Sequence, residues 1–87
     1  MTLMEAVHAT FRRMQDSPRT EEAYLHWIRA YLHFHGGRHP REMGAPEIVA
    51  FLSDLAVERK VAASTSNQAF CAVVFLYLRV LQVAVPE

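Results

Sequence analysis

The stretch SPRTEEAYLHWIRAYLHFHGG, residues 17–37, constrains this chain more than any other. It carries a complete set of helix signals. Ser17 suits an N-cap, because its hydroxyl oxygen can accept a bond from a helix N–H that has no partner of its own. Pro18 suits the first helical position, where no N–H is required. Glu21 and Glu22 fall in the first turn, where negative charge meets the positive end of the helix dipole. Gly36 and Gly37 end the helix, since glycine accepts the left-handed backbone of a helix C-terminus. Between these signals Tyr24, Trp27, Ile28 and Tyr31 form an apolar face. Such a helix is stable only when that face is covered, so the rest of the chain must supply partners.

The partners read as helices too. Four helical segments are predicted, at about residues 2–14, 18–35, 46–59 and 64–82, and no strand. In the first, Leu3, Met4, Val7, Phe11 and Met14 share a side at helical spacing, and MQDSP breaks it. Pro46 opens the third, whose buried side is Ile48, Phe51, Leu52 and Leu55. In the fourth, Phe70, Val73, Val74, Tyr77, Leu78 and Leu81 give the expected core face. Phe75, Leu76 and Val80 add apolar surface elsewhere on that helix, so it is either central or covered by a partner. A linker could begin at VAVPE. The expected fold is all-α, a compact four-helix bundle with short connections in one domain spanning residues 1–87.

Composition excludes several classes. Nine Lys and Arg balance nine Asp and Glu, so no global field points to nucleic acid or membrane. The single cysteine rules out a disulfide framework. The longest apolar run, residues 69–78, is too short for a bilayer span. A soluble, cytoplasmic protein is expected, with no membrane partner. No glycine loop for a nucleotide and no paired carboxylates stand out, so neither a cofactor nor a catalytic site is expected. The histidines of HFHGGRH invite a metal reading. However, His33 and His35 point apart on a helix and no zinc-type cysteine or carboxylate spacing accompanies them, so no metal site is expected. His35 belongs at the edge of the apolar face and His33 in solvent. Cys71, inside an apolar helix with no charge nearby, reads as a small packing residue.

Two polar features remain. At about 100° per residue, Arg19, His26, Arg29 and His33 fall in one narrow sector of the second helix, with Glu22 among them. A solvated face accounts for that sector taken alone. In ERKVAASTSNQ, Arg59 and Lys60 precede a helix that opens with Ser64, Thr65, Ser66, Asn67 and Gln68. A helix start offers N–H groups and a positive dipole end to a phosphate, and Asn and Gln can read adenine edges. Simple N-capping is the plainer account of the first one or two of these residues. GGRHPR adds Arg38, His39 and Arg41 on a loop. Acids fall elsewhere, with Glu47, Asp54 and Glu58 on the third helix, so a neutral chain can still carry a basic side.

Together RTEEAY, FHGGRHPREMG, FLSDLAVERKVAAST and NQAF…FLY are specific. Over about residues 12–82 the chain resembles the N-terminal core-binding domain of tyrosine recombinases, most closely the integron integrase branch. The resemblance implies a SAM-like four-helix domain that forms half of a clamp on double-stranded DNA at a recombination site. Its second and fourth helices would face the major groove. It also implies a tetramer of the full-length protein on DNA, with a catalytic domain that this chain lacks. Tyr24, Tyr31 and Tyr77 match core or helix positions and not the nucleophile. The DNA-binding residues expected on this basis are Arg19, Thr20, His26, Arg29, Lys60, Ser64, Thr65, Asn67 and Gln68. The neutral balance and the acid in RRMQDSP imply weak binding by the domain alone, as a monomer or weak dimer. The alternative is a helical protein–protein assembly module without DNA contact, motivated by the apolar excess of the fourth helix.

Overall fold

The computed structural model describes residues 2–14 and 17–82. The expected break at MQDSP falls partly, and the expected linker at VAVPE wholly, outside the described residues. The described chain is all-α: α1 (Leu3–Met14), α2 (Pro18–Phe34), a 3-10 turn (Pro40–Glu42), α3 (Ala45–Ser53) and α4 (Ala63–Phe75). α3 and α4 each continue into a wider, π-type turn, over Asp54–Glu58 and Leu76–Val80. In both turns an N–H reaches back five residues, Arg59 to Asp54 at 3.1 Å and Leu81 to Leu76 at 3.0 Å.

The helix signals work locally as chemistry demands. Ser17 Oγ accepts the Thr20 N–H at 3.2 Å and starts α2. Gly36 and Gly37 end it at φ 70° and 81°, a region that costs a residue with a β-carbon about 1–2 kcal/mol. α1 opens with a reciprocal pair: Glu5 N–H to Thr2 Oγ1 and Thr2 N–H to Glu5 Oε2, each 3.2 Å. α3 opens with the Gly44 N–H donating to Glu47 Oε1 at 2.6 Å. No side chain caps the start of α4, whose N-cap is Ala62.

The core lies where α2 crosses α4. Ile28 and Tyr31 of α2 meet Ala69, Ala72, Val73 and Leu76 of the last helix, all fully buried. Phe11, Tyr24 and Phe75 join α1, α2 and α4 in an aromatic cluster with centroids 4.7–5.8 Å apart. Phe51 brings in α3, edge-on to Tyr31 at 5.4 Å.

Several sequence expectations are corrected here. Phe70 and Leu78, expected in the core, are 42% and 47% exposed, whereas Phe75 and Leu76, expected outside it, are buried. Cys71, expected to pack, is exposed. The reason is the phase of α4. Ala69 and Ala72 are fully buried, on the side of α4 that carries Val73 and Leu76, and the Phe70–Val74–Leu78 ridge is left facing outward. A reading weighted by bulk follows the large residues and misses the alanines.

Two buried tyrosines tie the far end together. Tyr77 donates its hydroxyl to the Pro40 carbonyl at 2.8 Å and lies 3.1 Å from the Tyr31 hydroxyl, so Tyr31 donates to Tyr77. Burial pushes both phenols above their ordinary pKa, and the bond to Tyr77 raises Tyr31 further. Both stay protonated, which fits structural hydroxyls and not nucleophiles. Arg41 adds a bond from its guanidinium to the Leu81 carbonyl at 3.1 Å.

Candidate nucleic-acid interface

The nine candidate residues do not share one place. Four of them do. Arg19 and Thr20 from the first turns of α2 and Asn67 and Gln68 from the second turn of α4 line a single open groove of about 410 Å³. Its floor contains Tyr24, Trp27 and Cys71. Sequence reasoning assigned those three to the core. The signal that could have found Cys71 is its position four residues after Asn67, on the same helix face.

Lys60, Ser64 and Thr65 stand at the entrance to α4. Lys60 is exposed, with its backbone in the left-handed region at φ 52°. Val61 N–H, bonded to the Leu55 carbonyl at 3.0 Å, closes the end of the preceding helix around it. A non-glycine residue held this way stores roughly 1–2 kcal/mol of strain, and such outliers cluster at functional sites. Ser64 and Thr65 lie inside the first turn of α4, exposed and half-buried. Neither acts as an N-cap, so the capping account of these residues is corrected: the cap position is Ala62. The first backbone N–H of this region to find a helical acceptor is that of Ser66, on the Ala62 carbonyl at 3.0 Å. The amides before it point out of the helix end, beside two hydroxyls and Lys60.

His26 and Arg29 are exposed on α2, as the sector argument expects. Neither reaches the groove. His26 lies edge-on to Trp27, centroids 4.8 Å apart, and borders a different cavity between α2 and α3. Arg19, Arg29 and Lys60 form no ion pair with a described residue.

Several of the acids are engaged, whereas the side chains of Glu22, Glu42 and Glu58 form no bond to a described residue. Glu21 is held by His8 Nδ1 at 2.7 Å, Asp54 by Arg59 Nε at 3.2 Å, and Glu47 by the start of α3. The GGRHPR loop is engaged as well. Arg38 bonds the Glu42 carbonyl, His39 Nδ1 accepts the Arg41 N–H, and Arg41 holds the end of α4. His35 is half-buried with Nε2 at 2.8 Å from the Glu47 carbonyl, while His33 is exposed. Among the described residues, no three His, Cys, Asp or Glu side chains converge for a metal ion. Nor is any helix there long and apolar enough to cross a membrane.

The described residues form an all-α globule with an open groove between α2 and α4. The chain belongs to the family described as phage integrase, N-terminal SAM-like domain, whose model matches residues 3–87. It is 46% identical over 84 residues to an "Integrase/recombinase" of Escherichia coli and, to the same extent, to one of Pseudomonas aeruginosa. The match covers 97% of this chain and 25% of each relative, so the chain spans about a quarter of the length of the curated relatives it matches. The matched domain is not the catalytic domain of such integrases.

Proposed function

We propose that this chain is the DNA-binding domain of a site-specific tyrosine recombinase of the integron type. It forms half of a clamp on the recombination-site duplex and does no cutting itself. The observation that carries this reading is the convergence of Arg19, Thr20, Asn67 and Gln68 from two helices on one groove. Arg19 and Lys60 bind phosphates, helped by Arg29 and by the open amides and hydroxyls at Ser64 and Thr65. Asn67 and Gln68 are the side chains that reach base edges. His26, on the same helix but outside the groove, borders the cavity between α2 and α3. In the parent protein, which acts in the cytoplasm as a tetramer on DNA, the second clamp half raises the affinity of this one through effective concentration.

The test is a salt titration of duplex binding by fluorescence anisotropy. Each phosphate contact contributes about −0.9 to the slope of log affinity against log salt. Lys60→Ala should therefore flatten the slope by about 0.9 and weaken binding to every sequence alike. An unchanged slope would remove Lys60 from the interface.

A second reading, an assembly module without DNA contact, draws on the ridge of Phe70, Val74 and Leu78, which lines a shallow apolar cavity of about 250 Å³ with Cys71 and Arg79. Concentration-dependent association in sedimentation, with no DNA binding at low salt, would favour it.

A further inference from the structure

The lining of the groove between α2 and α4 is ordered. On α4, Asn67 and Gln68 point about 100° apart, and Cys71 falls between those two directions one turn further on. Both amides are exposed and bond no described residue. Across from them, Thr20, Ala23 and Trp27 come from one stripe of α2, at i, i+3 and i+7. Thr20 Oγ1 accepts the Ser17 hydroxyl at 3.0 Å, so the cap engages its polar side and its methyl remains as apolar surface. Ala23 and Trp27 are half-buried, and Cys71 is exposed. The groove therefore sets two unpaired amides beside a small apolar floor.

Each base pair offers a different match in a major groove. Guanine presents two acceptors and suits an arginine or lysine fork, and the cytosine amine suits a carboxylate. Among the described residues that line this groove there is no carboxylate, and the one cation is Arg19, which the DNA reading places on a phosphate. Adenine presents an acceptor at N7 beside a donor at N6, and a primary amide meets both with two bonds. Thymine adds a C5-methyl group, which suits alanine or a threonine methyl. One helical turn is about 5.4 Å and successive base pairs lie about 3.4 Å apart. An amide on one pair thus sets Cys71 over the same pair or the next.

We infer that this groove selects A·T pairs: Asn67 or Gln68 makes two bonds to adenine N6 and N7, while a thymine methyl of the same or the next pair rests against Ala23 and Cys71. The selection rests on the DNA reading and adds a base identity to it. It also gives the exposed thiol of Cys71 a role as apolar contact surface, at a position where a hydroxyl would be less suited to a methyl group.

The experiment selects short duplexes, randomised at their central positions, on the immobilised chain at low salt and sequences those retained. Fluorescence anisotropy then compares the retained duplex with copies that carry deoxyuridine for thymidine, which removes only the methyl, or 7-deazaadenine for adenine, which removes the N7 acceptor. The expected duplexes are enriched in A·T at one position or two adjacent ones. Uracil should lower affinity about fourfold, the worth of one buried carbon, and 7-deazaadenine at least about fivefold. In Cys71→Ser, an exposed change that leaves the circular dichroism spectrum intact, the uracil effect should shrink to less than about twofold. Either Asn67→Ala or Gln68→Ala should abolish the 7-deazaadenine effect. Binding without base preference would overturn the selection but leave a phosphate-binding domain standing. G·C enrichment that vanishes in Arg19→Ala, a uracil effect unchanged in Cys71→Ser, or a 7-deazaadenine effect unchanged in both amide variants would overturn it too. No duplex binding at low salt would remove the DNA reading itself, and this selection with it.

Discussion

The two ends of the last helix are built in opposite ways. At its start, α4 has an alanine at the cap, no side-chain bond to its first amides, and polar residues turned toward a groove. At its finish the buried polar groups are engaged. Tyr77 bonds Pro40 and Tyr31, Arg41 bonds Leu81, and Leu76 and Tyr77 are buried. A chain that caps α1, α2 and α3 with its own side chains and leaves the fourth start open is not short of capping residues. The difference teaches that the buried hydrogen bonds of α4 gather at one end, while the other end leaves its first amides uncapped, so, on the proposed function, substitutions at the two ends should separate stability from DNA binding.

The largest expected effect is at the closed end. Tyr77→Phe removes the donor to Pro40 and the acceptor for Tyr31, stranding two buried polar groups, and should cost about 2 kcal/mol in urea unfolding. DNA affinity of the folded fraction should not change; a parallel loss of affinity would break the comparison. Next is Arg19→Ala in the groove. It should weaken duplex binding about tenfold, which is about 1.4 kcal/mol, and leave the urea midpoint in place. Lys60→Gly should move both properties in opposite directions. Relief of the left-handed backbone stabilises the fold by about 1 kcal/mol, while loss of the ammonium weakens DNA binding. The smallest effect belongs to Leu78→Ser on the exposed ridge, within about 0.5 kcal/mol of wild type.

The closed end also carries a pH signature. The folded-state pKa values of Tyr31 and Tyr77 are raised. Their contribution is complete below the unfolded phenol value, about 10, and is lost as pH rises above it, because only the unfolded chain then releases the protons. Thermal melts from pH 8 to 11 should show stability falling above about pH 10, with a smaller fall in Tyr77→Phe.

The legibility of the sequence varied by element. α2 was read nearly to the residue, because Ser17, Pro18, Gly36 and Gly37 act through bonds within a few residues of themselves. The end of α3 was harder: no glycine marks it, and Lys60 takes the left-handed turn instead. The site was legible in part. Arg19 and Asn67 could be named from residue type, but their meeting across one groove depends on how α2 and α4 cross. His26 was grouped with Arg19 by helical angle and lies at the border of another cavity. Angle on one helix says nothing about which neighbour packs beside it.

The amino-acid sequence by itself determined the helices, the class of fold and the family, since periodicity, caps and turn residues are local signals that can be read without knowing which neighbour covers each face. The tertiary structure alone decided which side of α4 is core, which basic side chains share a groove, and which tyrosines lock the far end. Those outcomes depend on helix phase and crossing, and the phase of α4 buries two alanines, Ala69 and Ala72, while it exposes Phe70 and Leu78. A small side chain determines where a neighbouring helix can lie, yet gives almost no signal of its own along the chain.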